Sequence, residues 1–178
     1  MSTRSLVLTI IGPDRPGLVE TLSRAIDEHG GNWLESQMAQ LAGQFAGLLR
    51  VEVEPESVDG LRAALAACET AGLKVHVIDG EDIEATARAV TLEVVGGDRP
   101  GIMRRISQVI ADKGVNVQRL ETTRTGAPWS GGALFRAEIA LEMPPGVALE
   151  ALREALEAIA LDLMVEVRID TEVDPNPS

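Results

Sequence analysis

Apolar and polar positions alternate near the start of the chain. Leu6, Leu8 and Ile10 share one side of residues 5–11, which reads as a strand. The spacing then changes. Leu18, Leu22, Ala25 and Ile26 fall on one face of a helix, and Gly30 stops it. Between them lies Pro13-Asp14-Arg15-Pro16-Gly17, with Pro16 expected in the first helical turn, where its missing N–H is no loss. A second strand is expected over 32–41 and a hairpin turn at Ala42-Gly43-Gln44. The third strand sets Leu49, Val51 and Val53 against Arg50, Glu52 and Glu54, the mark of a sheet with one face on the core. A helix over 58–70 turns Leu61, Leu65 and Cys68 inward, and Leu73, Val75 and Val77 form a fourth strand.

The order then repeats. Ile11-Gly-Pro-Asp-Arg-Pro-Gly-Leu18 returns as Val95-Gly-Gly-Asp-Arg-Pro-Gly-Ile102, 84 residues later. At the same offset Ser23 falls on Ser107, Ile26 on Ile110, Gly30 on Gly114 and Asn32 on Asn116. Farther on the register drifts: Arg50 aligns with Arg136 and Leu61-Arg62 with Leu152-Arg153. We expect insertions in the Gly126–Gly132 loop and the Met143–Gly146 turn, where added residues are tolerated. The second half therefore reads as strand 89–95, helix 100–113, strands 115–124 and 133–142, helix 147–160 and strand 163–169.

Each half is βαββαβ. The expected fold class is α+β: two tandem ferredoxin-like domains, each a four-stranded antiparallel sheet with two helices on one face. Residues 1–82 form the first and 83–178 the second, with a polar linker between Asp79 and Arg88 and a tail over 170–178. Cores this small are marginal, and helix-free faces and edge strands need covering. Val7, Ile11, Thr91 and Val95 lie on those faces, so pairing of the two halves or a homo-oligomer is expected.

Composition narrows the function. Hydrophobic residues make up 45% of the 178, but aromatics only 2%, so the core is aliphatic and base-stacking platforms are nearly absent. A net charge of -12 repels phosphate backbones and anionic membranes, so neither nucleic acid nor membrane is an expected partner. No stretch reaches the roughly 20 apolar residues of a membrane span, and Cys68 stands alone, so a cytoplasmic protein without disulfides is expected.

The candidate chemistry sits at the repeated turn. A helix N-terminus offers free N–H groups to a carboxylate. Gly17 and Gly101 leave room for a ligand, while Asp14 and Asp98 can accept from an ammonium. Asn32 and Asn116 both donate and accept. Together these suit a zwitterion. Asp before a helix is also a common N-cap, Pro-Gly a common turn and Asn a common turn residue, so structural roles stand beside the ligand role. The turn lacks a P-loop's Lys and its Asp repels phosphate. His29 suits a helix C-terminus, His76 a solvent-facing strand position and Cys68 the core. Neither histidine has a second ligand at metal spacing, so no metal or cofactor is expected. Trp129, in a Gly/Pro/Ser loop, covers a site or an interface, or simply faces solvent. No nucleophile motif appears, so no enzymatic activity is expected.

Asp14-Arg-Pro-Gly-Leu18 with Gly30-Gly31-Asn32, and Asp98-Arg-Pro-Gly-Ile102 with Gly114-Val115-Asn116, resemble the ACT domain. A chain of two such domains, with the Asn116–Thr125 stretch, resembles the bacterial glycine cleavage system transcriptional repressor group. The resemblance implies amino-acid binding at domain interfaces, glycine or serine being the first candidates. It implies contacts from Asp14, Gly17, Leu18 and Asn32 and from Asp98, Gly101, Ile102 and Asn116. Its output would pass to a protein partner such as a transcription activator. The alternatives are a constitutive scaffold, or a regulatory subunit of a separately encoded enzyme of amino-acid metabolism.

Overall fold

The computed structural model of the chain describes residues 3–81, 88–126 and 132–171. The chain divides into two compact units, Met1–Glu84 and Ala85–Ser178. The first comprises β1 (Arg4–Pro13), α1 (Leu18–Asp27), β2 (Asn32–Leu41), β3 (Gln44–Val53), α2 (Val58–Ala67) and β4 (Lys74–Asp79). The second comprises β5 (Arg88–Gly97), α3 (Ile102–Asp112), β6 (Asn116–Gly126), β7 (Ala133–Met143), α4 (Leu149–Leu163) and β8 (Val165–Thr171). The sheets run β2-β3-β1-β4 and β6-β7-β5-β8, with antiparallel neighbours. Both units thus have the expected ferredoxin-like plan.

Side-chain periodicity explains the layers. Leu6, Leu8 and Ile10 of β1 and Leu49, Val51 and Val53 of β3 are buried beneath Leu18, Leu22 and Ile26 of α1 and Leu61 and Leu65 of α2. In the second unit Val90, Leu92 and Val94 meet Ile102, Ile106 and Ile110 of α3 and Leu152 and Leu156 of α4. Each fully buried aliphatic of this kind contributes about 1.5–3 kcal/mol. Gly30 and Gly114 (both φ 67°) end α1 and α3 in the left-handed conformation. The Gly31 N–H donates to the Ile26 carbonyl (2.9 Å) and the Val115 N–H to that of Ile110 (3.1 Å), closing both helix ends alike.

The outer faces differ between units. In the first, Val7, Ile11, Leu48 and Ile78 lie on the helix-free side, and the last three are exposed. In the second, Arg136 bonds Glu93 (2.7 Å) and Glu138 (2.9 Å) across the corresponding face.

Several boundaries depart from the sequence expectation. Helix α2 ends at Ala67 and tightens into a 3₁₀ turn over Cys68–Ala71. Helix α4 runs to Leu163, and Met164 (φ 53°) then reverses the chain. Asp79 belongs to β4 rather than to a linker, and its carboxylate holds Arg4 (2.8 Å) and Arg62 (3.2 Å). The alignment of Arg50 with Arg136 is also corrected. Arg50 lies opposite Val7, and the residue opposite the equivalent Thr91 is Ala140. Arg136 lies opposite Val95, where the first unit has Ala46 opposite Ile11. All the added residues of this hairpin fall before β7. The Arg62–Arg153 match holds: each guanidinium donates to the last strand, at Val77 (3.0 Å) and Ile169 (3.4 Å). Residues 82–87 of the expected linker, 127–131 of the Trp129 loop and 172–178 of the expected tail lie outside the described residues.

Candidate functional site

The repeated turn is a type II turn. Pro16 presets its first central residue, and Gly17 takes φ 91°, ψ 2° at the second; Gly101 takes φ 91°, ψ −3°. Pro16 therefore precedes the helix instead of opening it, and the glycine stands at the N-cap without a side-chain cap. The Gly17 carbonyl accepts from the Thr21 N–H at 2.9 Å, the first bond of α1. The N–H groups of Leu18, Val19 and Glu20 have no acceptor within the helix. Asp14 and Asp98 lie three residues before the cap and do not cap their helices. Their backbones are tied instead to the neighbouring hairpins. The Asp14 N–H donates to Gly43 (2.9 Å) and the Asp98 N–H to Ala133 (2.8 Å).

At the first turn, Asp14, Gly17 and Leu18 line an open cleft of about 290 Å³ with Arg15, Val19, Glu20 and Phe45. The Asp14 carboxylate is exposed and makes no ion pair or hydrogen bond with another described residue. The Arg15 guanidinium rests against Gly72, 3.3 Å from where a Cβ would stand. Leu18 is only 5% exposed, and its side chain belongs chiefly to the core. Arg15 and Phe45 were missed in the sequence. Arg15 sits inside the motif and offers a cation; Phe45 carries no local signal, because only the β1–β3 register brings it beside the turn.

The second turn is occupied differently. Arg124 Nε donates to Asp98 Oδ2 at 2.5 Å. Arg124 lies opposite Phe135 in the β6–β7 ladder, and the residue opposite the equivalent Phe45 is Gln40. Ile102, at 2% exposure, is a core residue.

Asn32 and Asn116 are exposed at the starts of β2 and β6, opposite Glu52 and Glu142. Asn32 lines a separate cleft of about 500 Å³ with Glu20, Ser23, Arg24, Ile26, Asp27, Gly31 and Trp33. The two clefts share Glu20, but Asp14 precedes α1 and Asn32 follows it, and the ten residues of the helix span about 15 Å. One small amino acid cannot touch Asp14 and Asn32 of the same unit.

Of the remaining candidates, His29 and Cys68 have structural contacts. His29 Nδ1 lies 2.8 Å from the Ala25 carbonyl, and His76 is exposed on β4. Cys68 is buried with Sγ 3.5 Å from the Ala64 carbonyl; burial pushes the thiol pKa up, against the opposing charge of Arg24. Among the described residues no three His, Cys, Asp or Glu side chains cluster as metal ligands, and no helix is long and apolar enough to cross a membrane.

Models of the ACT domain match residues 4–78 and 90–157. The chain belongs to the ACT domain family. It is 22% identical over 176 residues to the glycine cleavage system transcriptional repressor of Escherichia coli (strain K12), covering 95% of this chain and 90% of that one. The repressor of the same name from Shigella flexneri matches with the same figures. Among solved structures, an unknown protein from Galdieria sulphuraria superposes with a TM-score of 0.88 at 28% identity, covering 97% of this chain and 100% of that one. The two curated relatives matched over most of the length of this ACT protein are both named as transcriptional repressors. Its architecture supports a general role in ligand-responsive regulation.

Proposed function

We propose that this ACT protein binds an amino acid at an Asp-Arg-Pro-Gly turn and passes the bound state to a protein partner. The observation that carries the reading is the first turn: an Asp14 carboxylate without a partner among the described residues, beside N–H groups that have no acceptor within the helix, in one open cleft. The carboxylate suits a ligand ammonium and the N–H groups suit a ligand carboxylate. Glycine and serine are the first ligands to test. Asp98, Gly101 and Ile102 form the corresponding turn of the second unit. Since α1 and α3 separate the turns from their own asparagines, Asn32 or Asn116 contributes only when supplied by another copy of the chain. The cleft is open, so a homo-oligomer would also shield the ligand from water. The net charge of -12 favours a protein partner over nucleic acid. The repressor relatives make a transcription activator in the cytoplasm, within control of glycine cleavage, the partner to test first.

Calorimetric titration with the proteinogenic amino acids, glycine and serine first, tests this. Binding that weakens about tenfold or more in Asp14→Ala is expected, the loss of a charge-assisted hydrogen bond of about 1.5–3 kcal/mol. No heat from any of them at millimolar concentration would overturn the sensing role. The exposed Ile11, Leu48 and Ile78 on the helix-free face favour a second reading, a constitutive scaffold. In that case Asp14→Ala leaves every assembly unchanged.

A further inference from the structure

The two turns share a backbone but not a charge. The Pro-Gly turn, the glycine φ of 91°, the Asp N–H bond to the hairpin and the facing phenylalanine recur in both units. One position breaks the equivalence. Opposite Phe135 stands Arg124, with its Nε on the Asp98 carboxylate; opposite Phe45 stands Gln40, which leaves Asp14 unpaired among the described residues.

We infer that Arg124 and Gln40 set ligand selectivity, so that the first turn accepts the ammonium of an amino acid and the second is closed to it by an internal cation. This rests on the amino-acid-binding reading above. A carboxylate already holding a guanidinium gains little from a second cation, and a ligand ammonium must displace Arg124 or sit beside it against like-charge repulsion. Arg124 is 70% exposed, so the pair can exchange, but every exchange forfeits a bond already made. Gln40 carries no charge and imposes no such competition. One chain therefore binds one ammonium-bearing ligand, through Asp14.

Two substitutions on exposed strand positions test this without entering either core. Calorimetry with the amino acid that wild type binds should give one ligand per chain. Arg124→Gln, which copies the first unit into the second, should raise this to two. Gln40→Arg, which copies the second into the first, should lower affinity at least about tenfold, since it sets a cation against the ligand ammonium. Circular dichroism of both variants should match wild type. Wild-type binding of two ligands per chain, or binding unchanged by both substitutions, overturns the selectivity assignment and leaves the sensing role standing. No wild-type binding of any amino acid overturns both.

Discussion

Gly12→Ala probes how tightly the first turn is anchored. A Cβ on Gly12 would lie 2.4 Å from the Gly72 carbonyl oxygen and 3.2 Å from Leu73 Cδ2. The obstacle is backbone and a fully buried leucine, neither of which rotates away. Ordinary contact begins at 3.4 Å, so the end of β1 and the Gly72 turn must part by about 1 Å. Overpacking of this kind costs about 1–3 kcal/mol, and a backbone obstacle puts it in the upper half. Gly17→Ala is the control from the same turn. Nothing lies within 4 Å of its Cβ, but its φ is +91°. Left-handed backbone costs alanine about 1–2 kcal/mol, offset by about 0.4–1 kcal/mol from a stiffer unfolded chain. The net loss is about 1 kcal/mol.

For a unit of this size each kcal/mol moves Tm by about 4–8 °C. Gly17→Ala should lower the melting point of the first unit by about 4–8 °C and Gly12→Ala by about 10–20 °C. Trp33 packs on the first core, and in a Trp129→Phe background it is the sole tryptophan, so its fluorescence follows that unit. The same contrast should recur between Gly96, whose Cβ would meet Val165 Cγ1 at 2.7 Å, and Gly101, with nothing within 4 Å. A Gly12→Ala melting point within about 2 °C of wild type, or Gly17→Ala as the more damaging change, would refute the reasoning.

Two further outcomes are expected. The β2–β3 hairpin turns on Ala42 (φ 50°) and Gly43 (φ 78°), and alanine is strained where asparagine is tolerated. Ala42→Asn should therefore raise stability by about 0.5–1 kcal/mol, measured as a shift of the urea midpoint at unchanged slope. Burial raises the Cys68 pKa above the ordinary thiol value of 9.0. Its contribution is therefore fully present below that value, and is lost as pH rises through the folded pKa because the unfolded thiol ionises first. Urea midpoints of wild type should fall more steeply above pH 9.0 than those of Cys68→Ala; parallel profiles would contradict this.

The motif's residue types were legible, but their partners were not. Asp14 and Asp98 look identical in sequence, and each carries helix capping as the commoner reading. Backbone geometry removes it: the type II turn places Gly17 and Gly101 at the caps and leaves each aspartate three residues upstream. Joint ligand contact by Asp14 and Asn32 rests on their recurrence and on the family resemblance, and the length of α1 separates them. Arg124 was visible only as one residue of a family-like stretch, because its contact with Asp98 spans 26 residues and depends on strand register.

By itself the sequence determined what rests on local pattern: the duplication, the alternation that makes strands, the i, i+4 stripes of Leu18–Leu22–Ile26 and Ile102–Ile106–Ile110, and the glycines that end those helices. Tertiary structure decided what rests on nonlocal pairing. Ladder register moved the equivalent of Arg50 from Arg136 to Ala140, placed Phe45 beside Asp14, and set Arg124 against Asp98 where Gln40 spares Asp14. The reason is physical. Periodicity records which side of an element meets the core, whereas the contents of a charged turn depend on which residues a neighbouring strand delivers.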